Sequence, residues 1–331
     1  ERRAGPLAPV ARDAAAPPAL FGILRALAVD DDAAVRNHAA DVARLALDAE
    51  SMDDAEKDAF MATFYERYMP WLVEPLYDVR ISEGGREVAL DDAARPPPPG
   101  ARVANAGACA HVCELLAYCV RAHQYRMKYF VLRNNVAAKV VALLETGARY
   151  GDKPLQLAAL RFVRACVGAK DDFYNRYLVK NGSLGPALRL LAPPDAAPAV
   201  EGRPPRLHPG DSLVTSAVAE LAEFVRAENV KSLVAHLVEV HGDALRRSPL
   251  HRPLLEGLET RHAQNRDVLE RASRGLPATE DQRMTSAQLE RQRRIATEDQ
   301  DEAYFDDDED DDDDDSSDYS SSEDGRSPPG R

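Results

Sequence analysis

Cys119-Val120-Arg121-Ala122, Phe162-Val163-Arg164-Ala165 and Phe224-Val225-Arg226-Ala227 each fall late in an apolar helical segment and share the tripeptide Val-Arg-Ala. The tripeptides lie 43 and 62 residues apart, and an 18-residue Pro-rich stretch, Pro193 to Gly210, sits inside the second interval. Without most of that stretch the second interval comes close to the first, within the roughly 40 to 47 residue period of armadillo and HEAT repeats. Downstream of the first two helices, Phe130-Val131-Leu132-Arg133-Asn134 matches Tyr177-Leu178-Val179-Lys180-Asn181 in character. Units of this size cannot bury an apolar face alone and share one core by stacking. The recurrence therefore predicts an all-α, armadillo/HEAT-like helical repeat solenoid with an extended groove, in preference to a closed bundle.

Outward from these helices the 3.6-residue periodicity continues. It predicts helices over Ala19–Val29 and Ala33–Leu47, with Leu20, Ile23, Leu24 and Leu27 forming the apolar face of the first and Val35, Val42 and Leu45 that of the second. Asp30, Asp31 and Asp32 suit the amino end of the second helix, where unpaired amides favour negative charge. Phe60, Phe64 and Tyr68 recur at four-residue spacing before Pro70 and Trp71, a stripe expected in the core. Ala106, Cys109, Cys113, Leu116 and Val120 share one face of a further helix. More helices are predicted over Tyr125–Arg133, Val136–Thr146, Pro154–Val167, Asp171–Lys180, Leu184–Leu191, Ser212–Arg226, Val230–Arg246 and Leu250–Ala272. Between Val79 and Gly100 periodicity stops at Gly84-Gly85 and Pro96 to Pro99, which predicts a long exposed insertion and no strand pairs.

The predicted organisation is a disordered lead-in at 1–18 and a helical repeat domain at 19–272 with insertions near 79–100 and 193–210. A polar linker at 273–297 and a disordered acidic tail at 298–331 follow. The formal net charge of -14 resides in that tail. Residues 298–331 hold 17 Asp+Glu against 2 Lys+Arg, leaving 39 acidic and 40 basic side chains before them. A balanced body lacks the basic excess that displaces counterions from a polyanion, so no direct nucleic-acid partner is expected. Asp306 to Asp315 is almost pure carboxylate with almost nothing apolar to bury. Ser316, Ser317 and Ser320 to Ser322 stand among acids as acidophilic kinase sites do.

Cys109, Cys113, Cys119 and Cys166 lie inside apolar helical patterns, the setting of buried thiols in a reducing compartment. His111 with Cys109 and Cys113 gives no tetrahedral zinc set, because residues two apart on a helix point in different directions. Eight histidines show no His-x-x-x-His pair, and no Gly-rich phosphate loop or nucleophile elbow is present. The expectation is no catalytic centre, cofactor or metal. No apolar run approaches the ~18 residues a membrane span needs. The chain opens at Glu1 without an initiator methionine and is expected to be a fragment.

Four blocks resemble one family. They are Phe64-Tyr65-Glu66-Arg67-Tyr68 with Leu72 and Pro75-Leu76; Cys113-Glu114-Leu115-Leu116 with Tyr118-Cys119-Val120; Ala159 to Arg164 continuing through Gly168, Lys170-Asp171 and Phe173 to Tyr177; and Phe224-Val225-Arg226 with Asn229 to Leu233. Asp301 to Asp306 adds an acidic junction of similar kind. In this order, across roughly Ala19 to Asp306, they resemble the phosphatase 4 regulatory subunit type 3 proteins, also called Smek or Psy proteins. The resemblance implies an armadillo-like region and an acidic tail, preceded in the family by a pleckstrin or EVH1 type domain that is not expected within these 331 residues. It also implies a non-catalytic subunit that binds a metal-dependent phosphatase catalytic subunit and a further regulatory subunit. Influence on localisation and substrate choice, with roles in DNA-damage recovery and chromatin, is implied as well. The two Pro-rich insertions depart from the family pattern.

Arg161 and Arg164 share a helix face away from Leu157, Leu160, Val163 and Val167, as a partner-binding ridge or as charges paired to Asp171 or Asp172. Phe173 and Tyr177 are expected to anchor their helix in the core, leaving Tyr174, Asn175 and Arg176 to a partner. Lys170, Asp171 and Lys231 complete the candidate set. A different reading is an acidic-tailed repeat protein for histones or import cargo, unconnected with a phosphatase. Arg291-Gln292-Arg293-Arg294 is a short basic run that suits nuclear import, and the expected location is nucleus and cytoplasm.

Overall fold

The computed structural model describes residues 19–90, 99–191, 212–246 and 252–275. The chain divides into two compact units, residues 1–265 and 266–331. The expected lead-in, the 193–210 insertion, nearly all of the linker and the acidic tail lie outside the described residues.

The first unit is an all-α helical repeat fold. It opens with α1 (Ala19–Val29) and α2 (Ala33–Ala46), and the Asp32 carboxylate caps α2 by accepting the Ala34 amide at 2.7 Å. Helix α3 (Asp54–Thr63) runs into one π-helical turn, Phe64–Tyr68, before α4 (Met69–Leu72) and α5 (Glu74–Tyr77). The wide turn precedes Pro70, whose ring clashes with the carbonyl four residues back in a regular α-helix. Phe64 and Tyr68 are buried and Phe60 packs against the core, as their spacing predicts.

Three-helix repeats follow. The first is α6 (Ala106–Ala122), α7 (Gln124–Arg133) and α8 (Val136–Tyr150). The second is α9 (Lys153–Gly168), α10 (Asp172–Lys180) and α11 (Gly185–Arg189). A third begins with α12 (Leu213–Ala227) and α13 (Lys231–Arg246), and α14 (Arg252–Ser273) follows. The Val-Arg-Ala helices α6, α9 and α12 lie side by side in that order; α7, α10 and α13 form a second row, and α8 meets α11. Each tripeptide buries its valine and turns its arginine outward, with Val120, Val163 and Val225 no more than 2% exposed. All four cysteines are free and buried, and loss of hydration pushes the Cys109 and Cys119 thiols up to about 12.

The repeat extends to the helix caps. Asn134 ends α7 and donates its side-chain amide to the Phe130 carbonyl at 3.0 Å; Asn181 ends α10 and does the same to Tyr177 at 2.9 Å. The next residue is left-handed in both, Asn135 at φ 53° and Gly182 at φ 58°. Both types tolerate positive φ, which stops the helix and satisfies its last carbonyls.

Two expectations are corrected here. Residues Arg80–Glu83, Arg86–Ala89 and Arg102–Val103 form an antiparallel sheet, β1 to β3, in the order β2-β1-β3, where a strandless insertion was expected. Gly84 (φ +55°) and Gly85 (φ +86°) make the hairpin, because two consecutive positive φ values match the strand twist. Ile81 pairs with Val103 and both are buried, too short a pattern for period-two alternation to register. On α2 the buried face is Ala39, Ala40 and Ala43, while Val35, Val42 and Leu45 are exposed. Small side chains let α2 approach its neighbours closely, so the face with less apolar mass turns inward.

In the second unit the described residues hold the last turns of α14. Arg266 and Glu270 approach to 3.6 Å and Asp267 and Arg271 to 3.8 Å, and Gly275 turns left-handed after the helix.

His123, directly after the first Val-Arg-Ala, pins three segments of the first unit together. Its Nε2–H donates to the Leu47 carbonyl at 2.8 Å, which leaves Nδ1 to accept the Tyr65 hydroxyl at 2.8 Å. Burial lowers its pKa, and His111, His236 and His241 are lowered by the same cause. In each the unfolded chain binds the proton more readily, so stability is full above about pH 6.5 and falls as pH drops below it. Replacing His123→Phe is expected to cost about 2–4 kcal/mol by stranding a buried hydroxyl and a carbonyl. It also flattens the acid-side loss, and urea unfolding at pH 7.5 and 5.5 measures both.

Candidate functional site

The row α2-α6-α9-α12 buries its apolar sides, and its outer edge carries charge. Glu114 on α6 sits between two guanidinium groups, Arg44 of α2 at 3.4 Å and Arg161 of α9. One turn further along α9, Arg164 reaches α12. Its Nε donates to both Glu220 carboxylate oxygens at 3.1 and 3.2 Å, and its guanidinium carbon lies 3.4 Å from the centre of the Phe224 ring. Beyond the end of α9, Lys170 pairs with Glu228 at 2.6 Å. Arg161, Arg164 and Lys170 thus bridge successive repeats along one ridge, and their carboxylate partners are Glu114, Glu220 and Glu228, not Asp171 or Asp172. The role of those glutamates as pairing partners escaped the sequence reading. They lie on neighbouring helices 47 to 58 residues away, so no spacing within one helix reports them.

Lys170 is left-handed at φ +55°, and Asn229 takes the matching place two residues after α12 at φ +51°. A branched or long side chain in that region costs about 1–2 kcal/mol. A lysine is held there by the helix end and by its ion pair.

Asp171 is a helix cap. Its Oδ1 accepts the Phe173 and Tyr174 amides at 2.8 and 3.3 Å, and its Oδ2 pairs with Lys128 of α7 at 3.0 Å. Helix α10 is rotated from the expected orientation: Tyr174, Asn175 and Leu178 are buried, Phe173 is exposed and Tyr177 is half-buried. Tyr174 and Asn175 therefore belong to the core, not to a partner surface. Burial raises the Tyr174 phenol well above its ordinary value near 10. Arg176 is exposed, its guanidinium 4.8 Å from the Phe173 ring, and Lys231 is exposed at the start of α13. Neither joins the ridge pairs. The surviving set can make multiple charge-assisted hydrogen bonds to another protein.

A family model for phosphatase 4 regulatory subunit 3 matches residues 12–264. Protein PPP4R3C1 of Mus musculus is 29% identical over 189 residues, 56% of this chain and 20% of that protein. Suppressor of Mek1 of Dictyostelium discoideum is 26% identical over 230 residues, 66% of this chain and 19% of that protein. The chain therefore spans about one fifth of the length of these curated relatives. No solved structure matches it.

Arg164→Ala is expected to cost about 1 kcal/mol, the sum of a cation–π contact and a partly exposed pair. Arg164→Lys recovers little of it, since an ammonium lacks the flat face and fork. Lys170→Gly relieves the backbone and is expected to raise the unfolding free energy by about 0.5–1 kcal/mol after loss of the exposed pair. Urea denaturation reads each.

Proposed function

The chain belongs to the phosphatase 4 regulatory subunit 3 family, and from that premise we propose that it works by binding alone, as a non-catalytic scaffold in a phosphatase 4 complex. The observation that carries the proposal is the ridge. Arg44, Glu114, Arg161, Arg164 and Lys170 line it across stacked repeats, a rigid row of polar groups suited to a protein partner. The phosphatase catalytic subunit is the proposed occupant, with a further regulatory subunit bound alongside. Substrate choice, localisation between nucleus and cytoplasm, and service in DNA-damage recovery then follow from what the scaffold brings to the catalytic subunit.

The acidic run Asp306 to Asp315 supports an added role for the tail, attraction of histones or other basic proteins. This contact is salt-sensitive by nature and separable from the ridge.

Affinity purification of the whole chain is expected to recover a serine/threonine phosphatase catalytic subunit, while the purified chain alone hydrolyses no phosphoprotein above background. Reversing Arg161→Glu with Lys170→Glu is expected to cut that recovery at least tenfold, with circular dichroism unchanged. Deleting 298–331 is expected to abolish histone capture and spare the phosphatase. Undiminished recovery by the reversed variant sinks the ridge assignment, and phosphatase activity in the isolated chain sinks the non-catalytic reading.

A further inference from the structure

Tyr77, Tyr125, Tyr129 and Phe173 are the aromatic side chains most open to solvent among the described residues, 44–53% exposed. Single exposed rings are ordinary, but these four gather on one surface of the first unit. Tyr125 and Tyr129 lie one turn apart on α7 with ring centres 4.4 Å apart, and Phe173 opens α10 beside them. Tyr77, at the end of α5, donates its hydroxyl to the Asn134 carbonyl at the far end of α7.

Every one of the four rings has a cation against it. Lys128 lies 5.0 Å from the Phe173 ring centre, 5.7 Å from Tyr125 and 5.9 Å from Tyr129. Arg176 lies 4.8 Å from Phe173, and Lys139 lies 5.1 Å from Tyr77. The Lys128–Asp171 pair ties α7 to the start of α10, and the Tyr177 hydroxyl meets Asn135 past the end of α7, so the two helices run in the same direction. Along that direction Tyr125, Tyr129 and Arg133 follow at four-residue steps on α7, and Phe173, Arg176 and Lys180 share a face of α10. Tyr125, Tyr129 and Phe173 therefore lie towards the amino ends of the two helices, and Arg133 and Lys180 lie at their carboxyl ends, where Tyr77 adds a further ring.

The charge on this surface is one-sided, unlike that of the ridge. Helix α7 carries Arg126, Lys128 and Arg133 and no carboxylate; Arg126 is paired with Asp58 of α3 at 3.2 Å, which leaves Arg133 on α7, while α10 carries Asp172 against Arg176 and Lys180. Asp171 is already engaged by two backbone amides and by Lys128. Aromatic rings and arginine are also the side chains that dominate binding energy at interfaces, here held by packing so that little freedom is lost on contact.

We propose that the surface formed by Tyr77, Tyr125, Tyr129, Phe173, Arg133 and Arg176 docks an acidic polypeptide segment of a partner protein, whose apolar side chains rest on the rings. A single-stranded nucleic acid fits less well, because Tyr125 and Tyr129 are tilted against each other at 58° and offer no open pair of parallel faces for stacked bases. The proposal is independent of the ridge and of the phosphatase assignment.

The test is selection of peptides from a random displayed library on the intact chain. Two variants serve as comparison, one with Tyr125→Ala, Tyr129→Ala and Phe173→Ala, the other with Arg176→Glu and Lys180→Glu, both checked by circular dichroism and thermal melting. Enriched peptides are expected to combine several carboxylates with an aromatic, aliphatic or proline residue. Their affinity is expected to drop at least tenfold on each variant and to fall as salt rises from about 50 to 300 mM. The charge-reversed variant keeps every ring and secures the result if the triple variant melts early. Failure to enrich, enrichment without excess acid, or equal binding to the variants overturns the proposal. So does a fluorescein-labelled single-stranded 20-mer oligonucleotide that binds through the same residues more tightly than the selected peptides.

Discussion

The structure rests on the apolar seam between α6, α9 and α12. Helix α9 illustrates the constraint: Leu155, Ala159, Phe162, Val163, Cys166 and Val167 leave almost no surface open on its inner sides. Such a helix has no stable form alone, because the apolar area it exposes when separated far outweighs its own hydrogen bonds. Phe162 is fully buried at the contact, so the packing of one repeat conditions the next. Stability is therefore a property of neighbouring repeats together, and removing a central one exposes two faces at once.

That constraint also decides where chemistry is free to vary. Once both flanks of a helix are buried, only the strip between neighbours and the outward side remain, and each row presents a different strip. The α6-α9-α12 row presents charges that are already matched, Glu114 with Arg44 and Arg161, Arg164 with Glu220, Lys170 with Glu228. The α7-α10 row presents rings and an excess of bases, with Arg126 and Lys128 matched by Asp58 and Asp171. Both strips are laid down by the same translation from repeat to repeat, which is why side chains 40 to 60 positions apart in sequence become neighbours.

Legibility followed the same logic. The repeat period was readable because Val-Arg-Ala and the Phe130/Tyr177 segments recur at equivalent places, and the Asn134 and Asn181 caps turn that likeness into shared geometry. The rotation of α10 was not readable. Phe173 with Tyr177 and Tyr174 with Leu178 both stand four apart, so periodicity alone gives two acceptable faces, and only the neighbours α7 and α13 select the second. Helix α2 misled for a related reason: the choice between an alanine face and a Val/Leu face depends on how closely its neighbours approach. The ridge glutamates were hidden because pairing between repeats leaves no trace within one helix. The sheet was missed because its buried content is one isoleucine opposite one valine.

The matched charges of the ridge have a further consequence for assembly. Each pair is partly exposed, so each contributes about 0–1 kcal/mol to the free chain, and a partner can replace one at little expense. A buried pair would resist exchange, because breaking it strands a charge in a medium of low polarity. The ridge thus holds its side chains in place without holding them tightly. Glu114, bound from both sides, fixes the positions of Arg44 and Arg161, and an incoming carboxylate meets guanidinium groups that are already arranged. Lys170 supplies the contrasting case, since its left-handed backbone carries a cost whether or not Glu228 is present. Asparagine at the equivalent Asn229 suits the same left-handed backbone better, so at Lys170 the ion pair with Glu228 offsets part of a cost that its counterpart avoids.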